Sequence, residues 1–391
     1  MAKSKNSILF LSVMDSWGGG EEVLLKIALH VDGALFWVAT PPGVPAKKFI
    51  AHKLNVFSLA SLKKIYRDKN GWTIFDKLKV LTNIVRSLFP LYFFMRRRDI
   101  TTIAANGNFA ALFALPLVIL FKKKLIVIQH LLYEKNSFEG RLLKVLVKYA
   151  DSFICVSKSV SENIIKFTGE KSRSKFVIIY NGLSLPKRID EPLGSHVSRD
   201  VIRFAVVGSI IPEKGHELIL EAFCEVVSNY PECRLLILGV PREEINSKSF
   251  YQHLIEKTEN LKLNDSVYFK GYLEEKSELY NQFDVLINYS AVPESFSMAV
   301  LEALAYNKIV IASNEGGPRE IIEHNVNGFL VEPRNKEALI KMMRQVVFQF
   351  ENNSMYEIRN NGQLTVEEKF SLQRFVDSYK NIFKINCNES K

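Results

Sequence analysis

Residues 291–329 read AVPESFSMAVLEALAYNKIVIASNEGGPREIIEHNVNGF, and the folding of this stretch decides how the rest of the chain is read. It opens where the apolar run at 284–288 (DVLIN) stops. A short apolar run bounded by polar residues is the pattern of a buried strand in a parallel sheet. A Pro-Glu-Ser-Phe-Ser loop follows, then a helical pattern over 298–306 and a second apolar strand at 308–312 (KIVIA). Gly316-Gly317-Pro318 turns the chain into another helical segment at 319–323. Alternating strands and helices predict an α/β domain built on a parallel sheet.

The loop at 293–297 leaves the carboxyl end of a strand, where open α/β sheets bind ligands. Ser297 and Met298 stand at a helix N-terminus, whose unpaired N–H groups and dipole favour an anion such as a diphosphate. Glu294 lies on the loop, and Glu302 lies eight positions later, just over one turn into the helix. Glu302 shares a helix face with Met298 and Ala299, so both carboxylates can look into one cleft. Carboxylates accept hydrogen bonds from sugar and ribose hydroxyls, so two acidic arms around an anion-binding helix end suit a nucleotide sugar. By spacing alone, Glu302 is equally an ordinary solvated helix residue.

Glu294-x7-Glu302, followed by Gly316-Gly317 and Asn327-Gly328-Phe329-Leu330-Val331, resembles the donor-site signature of the retaining glycosyltransferases of family 4. The resemblance implies the GT-B fold: two Rossmann-like, doubly wound α/β domains facing each other across a cleft. It extends over nearly the whole chain and is densest over residues 201–333.

Length and composition agree with that expectation. At 391 residues the chain can form two domains with full cores. Apolar residues make up 47% and charged residues 24%, a globular balance. The net charge of +10 suits a phosphate-bearing ligand or an anionic membrane surface. No basic-aromatic module of a nucleic-acid-binding kind is present, so nucleic acid is not an expected partner. Cys155, Cys224, Cys233 and Cys387 form neither a CxxC pair nor a metal-ligand spacing, which fits a reducing compartment. No signal-peptide pattern opens the sequence. The apolar run at 110–121 is too short to span a bilayer and contains Pro116. The expected location is the cytoplasm, at most peripheral on the inner face of the plasma membrane.

From the start of the chain, residues 8–13 (ILFLSV) read as a strand, Asp15-Ser16-Trp17-Gly18-Gly19-Gly20 as a loop, and 21–30 as a helix. From the residues alone this is equally a plain turn or a place where backbone can approach a ligand near a helix N-terminus. Strands are also predicted at 35–39, 56–59, 100–104, 125–128, 151–157 and 175–180, with helices at 72–94, 109–121, 140–150 and 158–167. Residues 89–98 (FPLYFFMRRR) read as a core helix end with solvated charges, or as a contact with a membrane surface. His130 follows a strand where α/β sheets place ligand groups, although a lone histidine is more often structural. Residues 185–200 carry no apolar period and read as the linker between a domain at 1–184 and one at 201–365. In the second domain a strand at 202–207 leads through Gly208 and Ser209 to Lys214 and Gly215, and a helix follows at 217–230. Lys214 in that loop is a mobile cation near a helix N-terminus, or a surface lysine in a turn. Strands at 234–238 and 267–271 follow, with helices at 249–261, 275–282, 336–350 and 366–383.

The resemblance implies roles for these residues. Lys214 and the N–H groups of Ser297 and Met298 hold the donor diphosphate, with Gly208, Ser209 and the Gly18–Gly20 loop close to it. Glu302 binds ribose, Glu294 binds the sugar hydroxyls, and His130 orients the sugar from the first domain. Residues 366–391 pack back on the first domain. The nucleotide sugar is a co-substrate, with a UDP-sugar favoured over a GDP-sugar, and no metal or cofactor is expected. The acceptor is a glycan or lipid-linked glycan of the lipopolysaccharide, O-antigen or capsule kind. Many members carry an arginine directly after the glycine at 208, where this chain has Ser209. Either Lys214 and backbone donors suffice, Arg319 or another cation substitutes, or activity is weak. A nucleotide-sugar epimerase and a non-catalytic partner or membrane adaptor are the rival readings.

Overall fold

The computed structural model describes residues 6–65, 73–134, 137–186, 201–242, 245–351 and 355–385. Most of the expected linker, residues 187–200, and Cys387 lie outside the described residues. Two compact units are present, residues 1–181 with 373–391, and residues 182–372.

Among the described residues the first unit contains seven strands, β1 (Asn6–Leu11), β2 (Ala34–Thr40), β3 (Asn55–Ser58), β4 (Thr102–Asn106), β5 (Lys124–Gln129), β6 (Ser152–Cys155) and β7 (Phe176–Ile178). Between them run α1 (Gly19–His30), α2 (Val44–Ala51), α3 (Ile74–Arg96), α4 (Asn108–Phe121), α5 (Phe138–Tyr149) and α6 (Lys158–Thr168). The strands form one parallel sheet in the order β3-β2-β1-β4-β5-β6-β7. Ile8, Leu9, Phe10 and Leu11 are all buried, as a strand covered on both faces requires. The order reverses between β1 and β4, where Leu11 stands opposite Ala105. Loops leaving those two carboxyl ends are therefore neighbours, at the switch point of the sheet.

The second unit repeats the plan. Its strands are β8 (Arg203–Val207), β9 (Arg234–Leu238), β10 (Val267–Gly271), β11 (Val285–Asn288), β12 (Ile309–Ser313) and β13 (Phe329–Val331). Its helices are α7 (His216–Val227), α8 (Ile245–Asn260), α9 (Lys276–Asn281), α10 (Met298–Ala305), α11 (Pro318–Ile321), α12 (Lys336–Glu351) and α13 (Tyr356–Lys369). The parallel order β10-β9-β8-β11-β12-β13 puts its switch point between β8 and β11.

The expected helix over 366–383 is instead two, α13 and α14 (Leu372–Ile382). Leu183 N–H donates to the Phe370 carbonyl at 2.9 Å, and Leu372 N–H donates to the Leu183 carbonyl at 3.0 Å. Those groups are lost to a helical ladder, so the helix breaks there. Helix α14 belongs to the first unit, where Phe383 just beyond it packs edge-on against Phe36, 6.0 Å between ring centres. Helix α2 was not anticipated, because VPA reads as loop. Proline in a first helical turn lacks only an N–H that would be unpaired there anyway, so the helix tolerates it. Of the arginines at 96–98, Arg98 is half-buried: its guanidinium lies over Phe94 at 4.3 Å and Trp37 at 4.6 Å.

Candidate active site

In the second unit, the loop after β8 and the loop after β11 leave adjacent strand ends. They are stitched together by Ala291 N–H donating to the Glu213 carbonyl at 2.8 Å. Gly215, at φ +71°, sits so close beneath this crossing that a Cβ there would stand 2.2 Å from the Tyr289 carbonyl oxygen. Gly208, at φ +138°, lies under the Lys214 side chain, whose Cε would pass 3.7 Å from an added Cβ. Lys214 is thereby led across the loop to Glu294, Nζ to Oε1 2.6 Å.

Glu294 is the hub of this site. Its Oε1 also accepts from the Ser290 hydroxyl at 2.5 Å and from Asn288 Nδ2 at 3.4 Å. Ser297 caps α10, accepting from the Val300 N–H at 3.4 Å, and its hydroxyl also bonds Glu294. Burial works to raise the Glu294 pKa, but the Lys214 charge and the bonds from Lys214, Ser290 and Ser297 outweigh it and hold the carboxyl below its ordinary range. The carboxylate is thus ionised, nearly enclosed at 13% side-chain exposure, and joined to a cation and to the cap of a helix. The half-buried Met298 begins that helix, where the first N–H groups have no partner within the helix.

The Gly316-Gly317 pair proves to be the floor of the loop. Gly317 N–H donates to the Glu294 carbonyl at 2.7 Å, and a Cβ on Gly316 (φ +64°) would stand 2.3 Å from that same oxygen. Asn327 is structural as well: buried, it bonds the backbone at Ile321 and Glu323 and the Thr365 hydroxyl. Glu302 is engaged elsewhere in the unit. One oxygen pairs with the Lys276 ammonium, and the other accepts from the buried Tyr280 hydroxyl at 2.9 Å. Ser209 is half-buried beside Gly208, and Arg319 is exposed on α11.

In the first unit, Gly18 is the N-cap of α1, and Gly19 and Gly20 form its first turn. A Cβ on Gly20 would lie 3.0 Å from Asn106 Nδ2, at the end of β4. Asn106 Nδ2 donates to Glu21 Oε1 at 2.8 Å, and the Ser12 hydroxyl donates to the same oxygen at 2.9 Å. His130 Nε2 lies 2.8 Å from Asn106 Oδ1. Burial raises the Glu21 pKa against the bonds from Ser12 and Asn106. The half-buried His130 ring is enclosed enough that desolvation pushes its pKa down to about 4. His130 is therefore neutral near physiological pH. Since Asn106 Oδ1 can only accept, His130 donates from Nε2 and keeps Nδ1 as an acceptor.

Glu21, Asn106, Lys276 and Tyr280 were missed in the sequence. Asn106 was findable, because it ends a strand at the switch point, the rule already applied to His130. The burial of Glu21 was not, since a glutamate in a first helical turn ordinarily serves the dipole from the surface.

Two family models match the chain. One described as glycosyl transferases group 1 matches residues 195–363, and one described as glycosyltransferase family 4 matches residues 50–186. An uncharacterised glycosyltransferase of Haemophilus influenzae is 25% identical over 386 residues, covering 95% of this chain and 98% of its own length. The lipopolysaccharide 1,2-N-acetylglucosaminetransferase of Salmonella typhimurium is 27% identical over 195 residues, covering 48% of this chain and 50% of its own. Among solved structures, Anabaena HepE in complex with UDP superposes with a TM-score of 0.78 at 19% identity, covering 97% of this chain and 99% of its own.

Proposed function

The chain belongs to the group 1 glycosyltransferases of family 4 type and has the GT-B fold, and from that premise we propose that it moves a sugar, with retention, from a UDP-sugar to a hydroxyl of a lipid-linked or cell-surface polysaccharide intermediate. The observation that carries the reading is the ion pair of Lys214 with the nearly enclosed Glu294, set beside the N-terminus of α10. As the bond from the anomeric carbon to the diphosphate breaks, its electron pair leaves with the diphosphate. The Lys214 ammonium and the N–H groups at Ser297 and Met298 are the groups that would meet that growing charge. Positive charge supplied in this way would do the work of a divalent cation on the leaving diphosphate, so the proposed reaction needs none. Glu294 would orient the sugar through its hydroxyls, and Glu302 would exchange Lys276 for ribose hydroxyls. Neutral His130, with Nδ1 as acceptor, suits a sugar hydroxyl. Lys214 and the backbone donors would carry the charge for which many relatives use an arginine at the position of Ser209.

The UDP-bound neighbour supports a uridine donor, and the lipopolysaccharide-directed relative supports a glycan acceptor. Thermal shift with a panel of UDP-, GDP-, ADP- and dTDP-sugars tests the reading. Stabilisation by UDP-sugars, lost in Glu302→Ala, is expected; no shift with any sugar nucleotide in the folded chain would overturn it.

A further inference from the structure

Helix α3 carries an apolar face that the fold leaves in solvent. Ile74, Phe75, Leu78, Leu81, Val85, Phe89 and Phe93 are all more than half exposed. Apart from Phe75 they advance by three or four residues, so the face is one continuous stripe, roughly 30 Å long at the helical rise. The opposite face is core: Val80, Leu91, Phe94 and Met95 are buried. Helix α4 extends the patch, since Tyr92 stacks on Phe121 at 3.9 Å and the neighbouring Ile119 and Leu120 are 52% and 62% exposed. Contiguous apolar surface of this kind marks an interaction site.

Charge selects the occupant. Lys77, Lys79, Arg86 and Arg96 are exposed on α3, and Arg97 and Lys122 are exposed just beyond the ends of α3 and α4. The sole carboxylate of α3, Asp76, is used at its start, where it bonds Thr73 in a capping box. A second copy of this chain seated face to face would bring cation against cation. An anionic bilayer offers apolar depth and negative headgroups together. We propose that α3 lies in the plane of an anionic membrane, with its exposed stripe seated among the acyl chains and its flanking lysines and arginines among the headgroups. The helix has the length and composition to span a bilayer, but its buried face belongs to the protein core, so it seats rather than crosses. This inference rests on α3 and α4 and stands apart from the donor site.

The test is flotation of the full chain with phosphatidylcholine vesicles, with and without phosphatidylglycerol. Binding to the anionic vesicles only, weakened by salt, is expected. Leu81→Ser/Val85→Ser/Phe89→Ser changes exposed residues and should leave the melting curve and the donor shift intact while lowering partitioning about tenfold or more. Arg86→Glu/Arg97→Glu should lower it as well. The inference is overturned if the folded wild type fails to float, if the triple variant floats as well as wild type, or if the wild type is a dimer that the triple variant dissolves without either binding vesicles. Donor stabilisation read on the same samples keeps failure here distinct from failure of the transferase reading.

Discussion

Removing the Lys214 ammonium should do two separable things. Lys214→Ala leaves a carboxylate of 13% exposure without its cation, though Ser290, Asn288 and Ser297 still donate to it. A bare buried charge costs more, but with three donors retained we expect a loss of about 2 kcal/mol. For a unit the size of residues 182–372 that corresponds to a fall in Tm of about 4–8 °C. The sign depends on pH. In the wild type the Glu294 pKa is held below its ordinary 4.5, so its contribution is present above that value and is lost as pH falls through the folded pKa. Burial is the largest influence on this carboxyl, so we expect its folded pKa to rise above the ordinary value once Lys214 is removed, and the ionised group then to oppose folding. The Tm gap between variant and wild type therefore narrows as pH is lowered from about 8 towards 4.5. Glu294→Gln on the Lys214→Ala background should recover most of the stability and none of the activity. Transfer should fall about a hundredfold to a thousandfold in kcat/KM in both, the range for losing one donor to a developing anion. Calorimetric melts across pH, paired with initial rates, read both effects. A pH-independent gap, or rates within about threefold of wild type, would refute the reasoning.

Other outcomes follow from the same geometry. Gly316→Ala, forced to φ +64° with its Cβ 2.3 Å from the Glu294 carbonyl, should lose about 1–3 kcal/mol in denaturant melts and weaken donor binding by moving the loop. The folded pKa of His130 near 4 lies below its ordinary 6.5, so stability present above 6.5 declines as pH falls towards 4; His130→Gln should show a shallower decline in Tm over that window. Tyr280→Phe removes a donor to Glu302 and should change the donor Kd by less than about tenfold, whereas Glu302→Ala should weaken it further, both read by titration calorimetry. EDTA should leave initial rates unchanged.

The fold was legible because both sheets are buried on both faces. Runs such as ILFL and RLLIL admit few readings, and the glycines, prolines and polar residues between them mark the loops. Partnerships were harder to see. Lys214 and Glu294 are 80 residues apart, and only the strand order that sets β8 beside β11 makes them neighbours. The glutamates eight apart drew attention as a pair, yet they hold different partners: Glu294 has Lys214, and Glu302 has Lys276 and Tyr280. Tyr280 gave no signal, since a tyrosine on a short helix reads as core. The break at Phe370 could not be read locally, because its cause is Leu183, far away in sequence. In α3 the apolar spacing was visible, but which residues faced the core and which faced water was not.

The claim that Lys214 and the start of α10 hold the donor's diphosphate is tested most directly by comparing UMP with UDP in titration calorimetry. The two ligands differ by the phosphate those groups are placed to meet. The account predicts that UDP binds at least about tenfold more tightly than UMP, and that Lys214→Ala removes most of the difference. Equal affinity for the two nucleotides, or a preference for UDP that survives Lys214→Ala, would contradict it.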